Sequence, residues 1–165
     1  MLFRSTGICG SGLLDAIAVM LEIGILDETG FLEEDDFSLA ETVSLTQRDI
    51  RAVQLAKAAT HAGIMCLLDA AGCSPENVSV LYMAGGFGSH LNMRSAVRVG
   101  LIPAELAPRA YSIGNAALDG ASMLLMNTHL RQKAAALAMN CCHVRLDGNA
   151  AFRVRYVDAM LFGDD

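Results

Sequence analysis

The sequence predicts a helix-rich α/β chain in which a short central sheet is flanked by long helices. Three observations carry this reading. Apolar residues recur at helical spacing in several runs, two short aliphatic runs are bounded by turn residues, and each of those runs feeds a glycine junction that opens a helix. Short runs without polar alternation fit strands of a parallel sheet covered on both faces.

The elements follow in order. Leu13, Leu14, Ile17, Ala18 and Leu21 predict a helix over 12–23, with Ser11 as its N-cap and Gly24 as its stop. Residues 25–43 carry Glu28, Glu33, Glu34, Asp35, Asp36 and Glu41 without a sustained period, which predicts an exposed loop with a short strand pair. Thr46 and Asp49 have capping-box spacing and open a long periodic helix that Gly72 and Pro75 end. A buried strand is expected over 78–83, then a helix over 93–99 stopped by Gly100, then a second strand over 110–113. Asn115 should cap one long Ala-rich helix reaching about Met139. A strand over 141–146 and a last helix capped by Asn149 complete the chain.

Composition narrows the function. Twelve Lys and Arg against 18 Asp and Glu give a net charge of −6, which argues against binding a row of nucleic-acid phosphates. Mean hydropathy is +0.40, yet Asp15, Glu22, Lys57, His61 and Asp69 interrupt every apolar stretch that approaches a membrane span. Residues 1–6 do not read as a secretory leader, so the expected compartment is the cytoplasm. The five cysteines are odd in number and contain no C-x-x-C pair, so they read as free thiols and no metal site is expected. The whole chain, 1–165, reads as one domain.

Three places put glycine where a strand or loop meets a helix start: Gly7-Ile-Cys-Gly-Ser-Gly12, Ala84-Gly-Gly-Phe-Gly88 and Ile113-Gly-Asn115. Such junctions expose backbone N–H groups at the positive end of a helix and let a ligand approach the main chain. Any one of them is more often a packing device, but three in a chain of this size point to a nucleotide cleft. The dinucleotide fingerprint and the G-x-x-x-x-G-K-[ST] phosphate loop are both absent, so the cleft belongs to another fold.

The segments GICGSGLLDAIAVMLEIGIL, TQRDIRAVQLAKAATHAGI, MAGGFGSHLNMRSAVRVGLIP, IGNAALDGA and YVDAMLF resemble, in order and from about Gly7 onward, the C-terminal portion of the reductive activators of corrinoid proteins. That family belongs to the acetate and sugar kinase, heat-shock and actin (ASKHA) superfamily. The resemblance implies a partial ribonuclease-H-like lobe, the C-terminal fragment of an ASKHA-type ATPase domain. It also implies an ATPase that drives an electron onto a corrinoid cofactor, returning Co(II) to Co(I) for a methyltransferase, with a corrinoid protein as partner. ATP or ADP with Mg is the implied cofactor. The family's iron–sulfur cluster belongs to its N-terminal region, and both phosphate hairpins precede the part seen here, so the chain alone is expected to be inactive.

By the same resemblance, Gly85, Gly86, Phe87 and Gly88 form an adenosine-binding turn, with Phe87 near the base or ribose. Gly114 and Asn115 belong to a second connecting motif, Gly10, Ser11 and Gly12 line the cleft, and Gln54 and Lys57 are further nucleotide contacts. His90, Asp15 and Asp119 stand near the junctions, where a solvated loop or the helix dipole also accounts for them. Cys9 reads as a packing residue, and Cys141 and His143 as structural. A rival reading makes the chain a stand-alone interaction or assembly module that self-associates through apolar surface. Another makes it an activator of 2-hydroxyacyl-CoA dehydratases, whose cluster-bridging cysteine pair has no clear counterpart here.

Overall fold

A computed structural model describes residues 7–163. The 1–6 stretch read for a leader lies outside them. The element order is α1 (Gly10–Glu22), β1 (Asp36–Ala40), β2 (Val43–Thr46), α2 (Gln47–Ala70), β3 (Leu81–Met83), α3 (Gly85–Ser89), α4 (Met93–Arg98), β4 (Ala110–Ser112), α5 (Ala116–Met126), α6 (Thr128–Asn140) and α7 (Ala150–Asp158). Short 3-10 turns cover Pro75–Asn77 and Ala104–Arg109. The helix-rich α/β class is the one observed.

Helix α1 buries Leu14, Ile17, Ala18, Met20 and Leu21 and ends at Gly24, whose φ of +74° suits only glycine well. It starts two residues earlier than expected. Cys9, not Ser11, takes the N-cap position, and Ser11 lies inside the first turn. β1 and β2 form an antiparallel hairpin in which Phe37 pairs with Leu45 and Ser38 with Ser44. The capping box forms as its spacing implies: Thr46 accepts from the Asp49 N–H, and Asp49 accepts from the Thr46 N–H at 2.9 Å. Gln47 then ties the preceding loop down, donating to Gly30 at 2.6 Å and accepting from the Leu32 N–H at 2.9 Å.

The core joins α1, the hairpin, the first half of α2 and α4 with Leu101, Ile102, Leu106 and Phe162. Helix α7 packs along α2, and Arg155 reaches Asp69 at 2.7 Å. The second sheet is one parallel pair, β3 with β4, with Leu81 opposite Ala110, Tyr82 opposite Tyr111 and Met83 opposite Ser112. Only three residues of the expected 78–83 run are in the ladder.

Two expectations are corrected. The long Ala-rich helix is two helices, because Asn127 is extended (φ −139°, ψ 108°) and its side chain accepts from the His129 N–H at 3.0 Å, stopping α5 and capping α6. Residues 141–146 form no strand; a strand needs a neighbouring ladder, and this segment lies largely exposed without one before Gly148 turns the chain into α7.

Candidate functional site

Because β3 and β4 run parallel and in register, the loops that follow them leave the same end of the sheet. In open α/β sheets that end is where ligands bind. The loops are joined directly: the Gly85 N–H donates to the Gly114 carbonyl at 2.7 Å, and the Ile113 N–H to the Met83 carbonyl at 3.0 Å. The third junction arrives from α1. A Cβ added to Gly10 would stand 3.2 Å from Cε2 of Phe87, so the start of α1 abuts the ring carried by α3. All three glycine junctions therefore converge.

The glycines do not share one task. Gly85 and Gly114 have φ of +88° and +65°, and Cβ atoms added there or at Gly86 would meet nothing within 4 Å. Their backbone is open to close approach. Gly88 is buried, and a Cβ on it would lie 3.2 Å from Cβ of Met83. Gly12 is crowded locally by Ile8, also at 3.2 Å. Gly10, Gly12 and Gly88 are thus packing glycines, whereas Gly85, Gly86 and Gly114 leave space. Phe87 is 50% exposed, so one part of its ring rests on α1 and the rest is available.

Capping sets α1 and α3 apart from the other described α-helices. Thr46, Asn92, Asn115, Asn127 and Asn149 each place a side-chain acceptor on first-turn N–H groups of α2, α4, α5, α6 and α7. Helices α1 and α3 begin at Cys9 and Ala84 with no side-chain acceptor. These are the two helices that meet at Gly10 and Phe87. First-turn donors without a capping side chain suit an anionic or carbonyl-rich ligand. Asn115 spends its Oδ1 on the Leu118 N–H at 3.2 Å, so its side chain positions α5. His90 sets Nδ1 3.0 Å from the Gly86 carbonyl, at the end of α3.

Gln54 and Lys57 lie on α2. Both are buried, and hydrogen bonds tie their side chains to the chain's C-terminal segment and, for Gln54, also to Thr29 and Arg51. Gln54 donates to the carbonyls of Thr29 and Met160, each at 3.0 Å, Lys57 donates to that of Leu161, and its ammonium lies over the Phe162 ring. Polar groups buried this deeply need partners, and carbonyls receive both the neutral Gln54 amide and the Lys57 ammonium.

A family model described as the C-terminal domain of RACo, the ASKHA domain, matches residues 3–165. The chain belongs to this family. The ASKHA domain is similar to the corrinoid activation enzyme RamQ of Eubacterium limosum, 29% identical over 96% of this chain and 32% of that protein. It is similar also to a Methanosarcina barkeri protein named as a reductase of the Co(II) methylated amine-specific corrinoid protein, 27% identical over 75% of this chain and 23% of that one. A solved structure of a reductive activator for a corrinoid, iron–sulfur protein superposes with a TM-score of 0.86 at 28% identity, over 94% of this chain and 28% of the other. The chain thus spans about a third or less of the length of these relatives.

Elsewhere in the ASKHA domain, Asp15 keeps Oδ1 buried with no hydrogen-bond partner among the described residues. Cys9 and Ser11 approach to 3.4 Å, and the Ser11 hydroxyl, with the Gly12 N–H, draws the Cys9 thiol below its usual range. No group of three or more His, Cys, Asp or Glu among the described residues is placed to hold a metal. No helix there is long and apolar enough to cross a membrane. The converging contact of Gly10 with Phe87 was invisible locally, since 77 positions separate the two; the absence of Ser, Thr, Asp or Asn before α3 was the one local signal.

Proposed function

We propose that this chain is the nucleotide-binding C-terminal portion of an ATP-dependent reductive activator that returns a corrinoid protein of a methyltransferase system from Co(II) to Co(I). The observation that carries the reading is the convergence of three glycine junctions at the carboxyl end of β3 and β4, with open backbone at Gly85, Gly86 and Gly114. The adenosine would lie against those glycines with Phe87 beside its base or ribose, while the uncapped start of α1, at Gly10, Ser11 and Gly12, would offer N–H donors. Mg-ATP, when bound, would supply the free energy for uphill electron transfer. Carboxylates for Mg and the iron–sulfur cluster would come from the part of the activator that this chain does not span, so the 165 residues form one portion of the ATPase domain and are inactive alone. The corrinoid protein is the proposed partner and the cytoplasm the proposed compartment.

Calorimetric titration of Mg-ATP and ADP tests this. Saturable binding that is lost in Gly86→Leu supports the reading; no heat at saturating nucleotide overturns it for the isolated chain. A second reading, an assembly module without ATPase activity that self-associates, is favoured by α5 and α6, in which no described residue is buried. A stable oligomer in light scattering, together with no nucleotide binding, would select it.

A further inference from the structure

We propose that His90 is the side chain that accepts a hydrogen bond from the bound adenosine, donated by the 6-amino group of the base or by the ribose 2′-hydroxyl, an inference that rests on the functional reading above. Gly86 and the C-cap residue His90 are four positions apart, so they share one side of α3. The imidazole folds back along that side and sets Nδ1 3.0 Å from the Gly86 carbonyl. A carbonyl oxygen only accepts, so Nδ1 carries the proton. Nε2 of the neutral ring is then a bare acceptor, carried on an exposed side chain.

The surroundings give that acceptor its use. Four backbone carbonyls at the junction are already engaged: that of Met83 by the Ile113 N–H, that of Gly114 by the N–H groups of Gly85 and Ala116 at 2.7 and 3.1 Å, that of Gly85 by the Ser89 hydroxyl at 2.6 Å, and that of Gly86 by His90 itself. The Asn115 Oδ1 is held by the Leu118 N–H. An adenosine that exchanges water for this junction therefore leaves its amine and hydroxyl donors short of partners, and an unmet donor costs as much as a lost hydrogen bond. His90 stands where such a donor arrives. Beside its ring, a Cβ on Gly86 would meet nothing within 4 Å, and Phe87, three positions before it on the same turn, carries the half-exposed ring that the functional reading sets beside the base or ribose. A histidine that served only to cap the end of α3 would use Nδ1 alone.

The test uses the full 165-residue chain. At mildly alkaline pH, where imidazole is neutral, nitrogen NMR spectra of the histidine rings report which nitrogen carries the proton, and His90→Phe identifies the His90 signals. The expected result is a proton on Nδ1 of His90 and none on Nε2, with the Nε2 signal moving when ADP is added. Calorimetric titrations of ADP, of IDP, which has an oxygen in place of the 6-amino group, and of 2′-deoxy-ADP then read the bond itself. His90→Phe should weaken ADP binding by roughly five- to tenfold. It should also erase the parent chain's preference for ADP over IDP where the base amine is the donor, or over 2′-deoxy-ADP where the ribose hydroxyl is. His90→Gln, which keeps an amide donor for the Gly86 carbonyl and an oxygen acceptor, should restore that preference, as loss of a helix cap alone would not require. A proton on Nε2 in the ADP complex, or equal weakening of all three nucleotides in His90→Phe, would overturn the inference and leave the nucleotide site in place. No binding of ADP by the parent chain would instead overturn the function proposed above, and this inference with it.

Discussion

Lys57 holds its ammonium 5.2 Å from the centre of the Phe162 ring and donates to the carbonyl of the preceding residue, Leu161. One buried cation thereby fastens the segment that follows α7 to the middle of α2. Lys57→Met should destabilise the chain by about 1–3 kcal/mol, because the Leu161 carbonyl loses its buried donor. Phe162→Ala should cost more, about 3–5 kcal/mol, by opening a cavity against Leu26 and Leu32 in the same core. Urea midpoints measure both, and equal, negligible losses would refute the fastening.

Gly86 and Gly88 should separate binding from folding. A side chain at Gly86 meets open space, so Gly86→Leu should leave the melting temperature within a few degrees while abolishing nucleotide heat. Gly88→Ala brings a methyl against Met83, and about 1–3 kcal/mol of stability should be lost. The opposite pattern would place the packing at Gly86 and the opening at Gly88.

The Thr46–Asp49 box gives a pH dependence of known sign. The Thr46 hydroxyl and then its N–H hold the Asp49 carboxyl below the usual carboxylate range. A depressed carboxyl contributes stability above its unfolded-state pKa and loses it as pH falls through the folded-state value. The stability gap between the parent chain and Asp49→Ala should therefore be constant near neutrality and shrink below about pH 4. Thermal melts across that range give the answer.

Cys9 should alkylate more readily with Ser11 in place than without it. The Ser11 hydroxyl lowers the Cys9 pKa first and the Gly12 N–H second. The pH profile of the peptide-resolved iodoacetamide rate at Cys9 should move upward in Ser11→Ala. Coincident profiles would contradict the hydrogen-bond origin.

Much of this was legible locally. Thr46, Asn115 and Asn149 announce helix starts by a side chain that reaches two or three residues ahead, and Gly24, Gly72 and Gly100 end elements at φ values near +60° to +75°. Asn127 was hidden because Ala, Leu and Met on both sides favour helix so strongly that one polar residue did not register as a break. The 141–146 run looked like a strand because pattern reports polarity and not whether a neighbouring edge exists. The resemblance offers Gln54 and Lys57 as nucleotide contacts, and their bonds to Met160 and Leu161, over a hundred positions away, are not legible locally. The sequence shows that a polar group is present; what it faces is decided by non-local packing.

The bond from Gln54 to Met160 spans 106 positions, and that from Lys57 to Leu161 spans 104. During synthesis on the ribosome, the Thr29 carbonyl is available to Gln54 from the start, but α2 is made long before Met160 and Leu161 can accept from Gln54 and Lys57. Until residues 160–162 emerge, water must stand in for the Met160 and Leu161 carbonyls, so the middle of α2 is not sealed on that side. The hairpin and the α2 cap can form early from neighbouring residues, but closure of the core is a late, high-contact-order step. A nascent chain stalled short of Met160 would hold a helix whose middle stays wet.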